Sequence, residues 1–310
     1  MIAIDIGNTF AKFGYFSARS LKLDFPEPAS CLKIFYDKTQ AINKQNIFNA
    51  AEHKLIADWL ENNCDFNDCG CDDWFIAVTA ACCDVNFLVN ELVSIKPDAN
   101  FNILTNAGVA ITANIDFPER AGIDRLLDAV AAAKFTCDKL RNTTRDTNSL
   151  NSYANSTNLN DKFDRRNIET IIVVDAGTAV TIDMVKINEN PVKFEGGVIL
   201  PGLSVLSEAL NQAASKLPNI KVADYKLANL TYPAKNTNAA ILTGILGSLV
   251  ATINFFVNKI ETNKNIPIFF TGGDAKIISK LYSNEFPNSF ILTIPELTLT
   301  GIAITRLNPE

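Results

Sequence analysis

Two short segments carry the same sequence of an acid, a glycine and a hydroxyl. Asp5-Ile6-Gly7-Asn8-Thr9 follows one apolar run, and Asp175-Ala-Gly-Thr178 follows another, 170 residues later. In each, a carboxylate ends a buried strand and a glycine lets the backbone come close to a ligand. Asn8, Thr9 and Thr178 add side-chain donors, and exposed turn amides add more. A carboxylate repels phosphate unless a cation stands between them. Mg2+ does this when it keeps its waters and takes one or two carboxylates. Lys12 adds positive charge at the same end of the first segment. In the second, Asp175 could hold a cation while Thr178 meets a phosphate oxygen. Taken singly, each segment also reads as an ordinary hairpin with a turn Asp and Gly. The pair weighs more, because two such turns can grip opposite sides of a polyphosphate. Beyond the second turn, Asp183 is expected to face solvent, and Thr181 is left open between solvent and the turn.

Two further segments could act beside them. Phe270-Thr-Gly-Gly-Asp-Ala275 runs from a strand into a glycine pair, which permits flat contact with a base or ribose or is a plain strand-to-helix turn. Gly122-Ile123-Asp124-Arg125 opens a helix, so Asp124 and Arg125 fall in a first turn whose amides point outward. A carboxylate there can accept a proton from an attacking hydroxyl, and a guanidinium can clamp a carboxylate in two-pronged fashion. The plainer alternative is an acid favoured by the helix dipole beside a solvated Arg. Asp128 is expected at the surface or paired with Arg125.

The single histidine, His53, lies in Glu52–Leu60, which reads as a solvated helix face. That disfavours Ser–His–Asp hydrolysis, His-rich metal centres and phosphohistidine transfer. Chemistry then rests on carboxylates, hydroxyls, amides and bound cations.

The elements that must position these groups follow from periodicity. Ile2–Ile4 and Ala11–Phe16 read as strands around the turn Asp5–Thr9, and Ile171–Val174 and Ala179–Val185 repeat the design. Between and after them, helices are expected over Phe48–Asn62, Val85–Ile95, Gly122–Phe135 and Leu203–Ser215. Strands are expected over Trp74–Val78, Phe194–Ile199 and Ile266–Phe270. Strands alternating with helices make an α/β chain. The Asn-rich stretch Asp138–Asn167 cannot bury much apolar surface and is expected to be a mobile insertion or linker. The expected division is therefore residues 1–137, the insertion 138–167, and residues 168–310.

The 310 residues are 47 % hydrophobic and 20 % charged, enough for a substantial core. A net charge of −6 gives no electrostatic reason to expect nucleic-acid binding. The start of the chain does not read as a signal peptide. Asn236–Asn258 is uncharged and long enough to span a bilayer, but Asn, Thr, Ser and Gly interrupt it, so a buried helix is expected and no membrane association. Seven cysteines without an export signal suggest reduced cytosolic thiols. The spacing of Cys64, Cys69 and Cys71 is not a usual zinc pattern.

Taken in order, the motifs resemble those of type III pantothenate kinases, members of the superfamily of actin-like and sugar-kinase-like ATPases. The matching segments are Asp5–Lys12, Pro118–Ala133, Val174–Asp183, Glu195–Gly202, Lys216–Pro218, Asn236–Gly247 and Thr271–Ala275. The combination of Gly-x-Asp-Arg with a downstream Asp-x-Gly-Thr-Ala is the specific part. The resemblance implies two duplicated ribonuclease-H-like domains with an interdomain cleft. It implies ATP-dependent phosphorylation of the primary hydroxyl of pantothenate, the first step of coenzyme A synthesis. Asp124 would be the general base, and Gly122, Ile123, Asp124 and Arg125 would bind pantothenate. Asp5, Ile6, Gly7, Asn8, Thr9, Phe10, Ala11, Lys12 and Thr178 would contact ATP. Asp175 would bind a monovalent cation, potassium or ammonium, and Mg2+ would accompany the nucleotide near Asp5. A cytoplasmic homodimer is implied.

Two positions depart from the family pattern. A substrate-contacting Tyr is replaced by Ile115, and a Thr upstream of the Leu-Pro pair by Ala214 with Ser215 beside it. Each missing hydroxyl costs about 1 kcal/mol of substrate binding where nothing replaces it. Two alternatives follow from these departures: a non-catalytic ATP-binding regulator of the same family, and a superfamily kinase for another small hydroxylated substrate.

Overall fold

The computed structural model describes residues 1–23, 25–36, 47–64, 72–80, 83–141, 153, 167–221, 230–260 and 266–307. Most of the Asn-rich stretch, together with Cys69, Cys71 and Cys82, lies outside the described residues. The chain divides into two compact units, Met1–Asp138 with Glu296–Glu310, and Lys139–Pro295. The sequence pattern places all of 168–310 in one domain. The C-terminal segment instead belongs to the first unit, because the helix Leu297–Leu307 packs on its sheet.

The first unit is built on β1 (Ile2–Ile6), β2 (Phe10–Tyr15), β3 (Ser30–Phe35), β4 (Asp73–Val78) and β5 (Asn100–Ile103), in the order β3-β2-β1-β4-β5. β1 is antiparallel to β2 and parallel to β4. It is central and wholly buried, so it reads as an unbroken apolar run ending in Asp5 and Ile6. Its helices are α1 (Ala18–Leu21), α2 (Ala50–Asn63), α3 (Val85–Ile95) and α4 (Ile123–Phe135), with a two-residue strand β6 (Thr112–Ala113) before α4. α2 opens on a capping box, with Asn49 Oδ1 accepting from Glu52 N and Glu52 Oε2 from Asn49 N. α2 and α3 cover the sheet face that carries Ile2, Ile4 and Ile6, through Ile56, Trp59, Leu88 and Leu92.

The second unit repeats this plan. Its strands are β7 (Thr170–Ala176), β8 (Ala179–Lys186), β9 (Lys193–Pro201), β10 (Ile268–Thr271) and β11 (Ile291–Thr293). Their order within the unit is β11-β10-β7-β8-β9, with β7 antiparallel to β8 and parallel to β10. Strand for strand, this is the order and direction of the first sheet, and it is the ribonuclease-H-like arrangement duplicated in one α/β chain. Helices α5 (Leu203–Ala213), α6 (Thr237–Lys259) and α7 (Ala275–Glu285) belong to this unit, and α8 (Leu297–Leu307) returns to the first.

α6 is long and apolar enough to cross a membrane by length and composition. Ile241, Leu242, Ile245, Leu246, Leu249, Val250 and Ile253 form a helical stripe buried in the core of the second unit.

In the first unit, α8 lies against α4 with their backbones close. A Cβ at Gly301 would overlap the Leu127 carbonyl, so only glycine permits this approach. Asp128, expected at the surface or paired with Arg125, is 1 % exposed in α4. The helix that packs on α4, α8, comes from the far end of the chain.

Candidate functional site

The two hairpins differ by one residue. In the first, Ile6 pairs with Ala11 and Gly7 N donates to Phe10 O at 3.0 Å. In the second, Ala176 pairs with Val180 and Gly177 N donates to Ala179 O at 3.0 Å. The shorter second turn changes what stands across from each acid: Lys12 faces Asp5, and Thr181 faces Asp175. Cross-strand partners share a sheet face.

Asp5 is 5 % exposed, and its Oδ2 lies 3.3 Å from Lys12 Nζ. The hairpin is held from beneath. Ile6 O accepts from Thr79 N at 3.0 Å, Ala80 N at 3.1 Å and Thr79 Oγ1 at 3.2 Å. Tyr36 Oη donates to Gly7 O at 2.5 Å. Asn8 is exposed at the tip, with Gly7, Thr9 and Phe10 half-buried beside it. The side chains of Ile6 and Ala11 are in the core, so any contact they make with a ligand is through backbone. Phe10 packs edge-on against Phe35, and Lys33 Nζ lies 3.8 Å from the Phe10 ring centroid.

α4 begins at N-cap Gly122, with Ile123 buried and Asp124 and Arg125 half-buried in the first turn. Asp124 Oδ1 accepts from Arg125 N at 2.8 Å. A Cβ at Gly122 would lie 2.5 Å from that same oxygen, so the glycine leaves the space the carboxylate occupies. The loop feeding this helix is held by Asn106. Its Nδ2 donates to Pro118 O at 3.2 Å, Glu119 O at 3.4 Å and Ala121 O at 2.8 Å. Nothing in the local sequence marks Asn106 for this task. Ile115 is half-buried in the same loop, and Phe117 is 56 % exposed with the Arg120 guanidinium over its ring.

In the second unit, Asp175 and Thr178 are half-buried. Gly202 N donates to Thr178 O at 2.8 Å, and a Cβ on Gly202 would overlap the Gly177 carbonyl. The β9–α5 connection thus seats on the hairpin through a glycine. Gly272, at φ +90, does the same from the other side, where a Cβ would overlap Asp175 Oδ1. Ala214 caps the end of α5, with its N–H on Leu210 O at 2.9 Å, and is half-buried. Asp183, expected to face solvent, is 1 % exposed. It lies across from Gly197, whose missing side chain leaves room for its carboxylate.

The donor chemistry at each acid can be tested against the cations implied. Thr181 Oγ1 is buried and has no hydrogen-bond partner among the described residues. It shares the Asp175 face, where Gly272 brings backbone against the carboxylate. An oxygen set of this kind suits a hard cation. Asp5 offers one carboxylate already balanced by Lys12, which suits an ion that keeps its waters. His53 is not on a solvated face as expected; its Nε2 is 3.6 Å from Glu91 Oε1. Glu91 Oε2 also accepts from Ile47 N at 2.9 Å. Burial pushes the Glu91 carboxyl above the usual range, against the opposing pull of these partners.

A family model described as type III pantothenate kinase matches residues 158–259. The type III pantothenate kinase of Thermosipho africanus is 29 % identical over 192 residues, covering 61 % of this chain and 59 % of that one. The one from Thermosipho melanesiensis is 31 % identical over 170 residues, covering 54 % and 53 %. The one from Sulfurihydrogenibium is 26 % identical over 290 residues, covering 90 % of each. The alignments to the first two therefore span little more than half the length of those relatives.

Proposed function

We propose that this chain, which is similar to type III pantothenate kinases, transfers the γ-phosphoryl group of ATP to the primary hydroxyl of pantothenate, giving 4'-phosphopantothenate. The observation that carries the reading is the pair of acid–glycine hairpins at equivalent places in two sheets of identical strand order. Phosphoryl transfer asks a protein mainly for positioning and charge balance, which such turns supply.

On this reading Asp5–Lys12 and Thr178 contact ATP. Asp124, held at the first turn of α4, accepts the proton of the pantothenate hydroxyl as the phosphoryl group moves. Gly122, Ile123 and Arg125 bind the acceptor, with the guanidinium on its carboxylate or an amide oxygen. Ile115 and Ala214 stand at positions where the family pattern has an acceptor-contacting hydroxyl, and neither offers one. Mg2+ beside Asp5 would neutralise phosphate charge through its waters. Asp175, with the Thr181 hydroxyl on its face, would hold potassium or ammonium. We place the enzyme in the cytoplasm as a homodimer.

Coupled ADP release from ATP and pantothenate, with and without potassium, tests the reading. Asp124→Asn should lower turnover by about 10²- to 10⁴-fold with nucleotide binding retained. Wild-type turnover in that variant removes Asp124 from the role. The Ile115 and Ala214 departures favour a second reading, another small hydroxylated acceptor or a non-catalytic nucleotide-binding regulator. Turnover with a different alcohol, or ATP binding without any ADP release, would select between those two.

A further inference from the structure

We propose that Tyr36 is a positioning residue that aims the backbone amide of Asn8 at a nucleotide phosphate; this rests on the reading that the Asp5–Lys12 hairpin holds ATP. Tyr36 follows the end of β3 and is 1 % exposed, its ring edge-on to Phe48 at 6.5 Å between centroids. Its hydroxyl crosses to the hairpin and donates to Gly7 O at 2.5 Å.

The consequence follows from peptide geometry. The Gly7–Asn8 peptide is planar and trans, so its C=O and N–H point in opposite directions. Gly7 O is drawn inward to a buried hydroxyl. The Asn8 N–H must therefore point away from the core. Asn8 is exposed at the hairpin tip, and among the described residues no acceptor takes its N–H. Gly7 N, in the preceding peptide, is committed to Phe10 O, which anchors the turn on that side, and the Gly7–Asn8 peptide itself cannot rotate without losing the Tyr36 bond. An outward donor held from below costs no reorganisation when an anion arrives. Without the hydroxyl, the peptide is free to turn.

A buried Tyr whose hydroxyl merely finds a partner would look the same in the unliganded chain. The two roles separate by ligand. Tyr36→Phe keeps the ring packing and removes only the donor. In the full-length protein, binding of ATP and ADP measured by calorimetry should weaken about three- to tenfold, the span of one net hydrogen bond. Adenosine, which has no phosphate, should bind as it does to wild type. In turnover, the KM for ATP should rise by the same factor, with kcat and the KM for pantothenate unchanged.

Equal weakening of adenosine and ATP, or wild-type ATP affinity in the folded variant, overturns the proposal. A wild-type protein that binds ATP but does not turn over pantothenate defeats the family reading and leaves the binding comparison intact. If Tyr36→Phe does not fold, nitrogen-labelled asparagine in the wild type gives the answer. The Asn8 amide proton should shift downfield with ADP and stay put with adenosine, and an unmoved resonance refutes the proposal.

Discussion

A methyl group added at Gly122 would sit 2.5 Å from Asp124 Oδ1 and 3.6 Å from Arg125 Cδ. The backbone there, φ −61 and ψ 127, is open to any residue, so Gly122→Ala carries no strain of its own. What must yield is the carboxylate. Ordinary van der Waals clearance requires it to retreat by about 0.5–1 Å. That movement breaks or bends its 2.8 Å bond from Arg125 N. Alanine is also a poorer N-cap than glycine, which adds about 0.5–1 kcal/mol of destabilisation. A displacement of about 1 Å in a reacting group costs on the order of 10²-fold in rate. The expected result is a folded protein with its melting temperature a few degrees lower, kcat down by about 10- to 100-fold, and the KM for ATP unchanged. Steady-state ADP release with both substrates varied, alongside thermal denaturation, measures all three. A folded Gly122→Ala variant with wild-type kcat would refute the argument that Asp124 must occupy this spot.

Asn106→Ala removes the donor shared by three carbonyls of the loop before α4. Chemical denaturation should show a loss of about 1 kcal/mol, and kcat/KM for pantothenate should fall about tenfold with ATP affinity retained. Glu91 gives a pH prediction. Its folded pKa is raised above the unfolded value by burial, so the folded state holds the proton more tightly. The stability this gives is complete below the ordinary glutamate range and is lost as pH rises through the raised value. Glu91→Gln should flatten that part of the stability curve, measured by urea denaturation across mildly acidic pH; an unchanged slope would discard the assignment.

The hairpins are legible in the sequence because an acid and a glycine after an apolar run have few other uses. α3 is legible over Val85–Ile95, and α4 to within a residue, because apolar spacing marks one helical face. β3, β5 and β11 are not legible. β3 alternates outward at Ser30–Phe35 on an edge, β5 is the polar Asn-Phe-Asn-Ile, and β11 has three residues. Such strands owe their existence to a neighbour already in place. Asp128 and Asp183 looked like surface acids because nothing nearby in the sequence shows what covers them. Gly197, one strand later, leaves room for the Asp183 carboxylate, and Gly301, far along the chain, lets α8 come close to Leu127 beside Asp128. His53 met Glu91 across two helices, beyond the reach of a helical-face argument. Tyr36 and Asn106 likewise act on segments 29 and 12 to 15 residues away. Gly202 left a trace, in a Pro-Gly pair closing a strand.

The return of α8 to the first sheet bears on how the molecule is made. Lys139–Pro295 is one continuous stretch of chain, whereas the first unit is assembled from both ends. A ribosome adding about 5–20 residues per second must translate all of that stretch before the last helix emerges. For on the order of ten to thirty seconds, then, the earlier-born half waits without the piece that seals its α4 face. The later-born half is the one that can finish first.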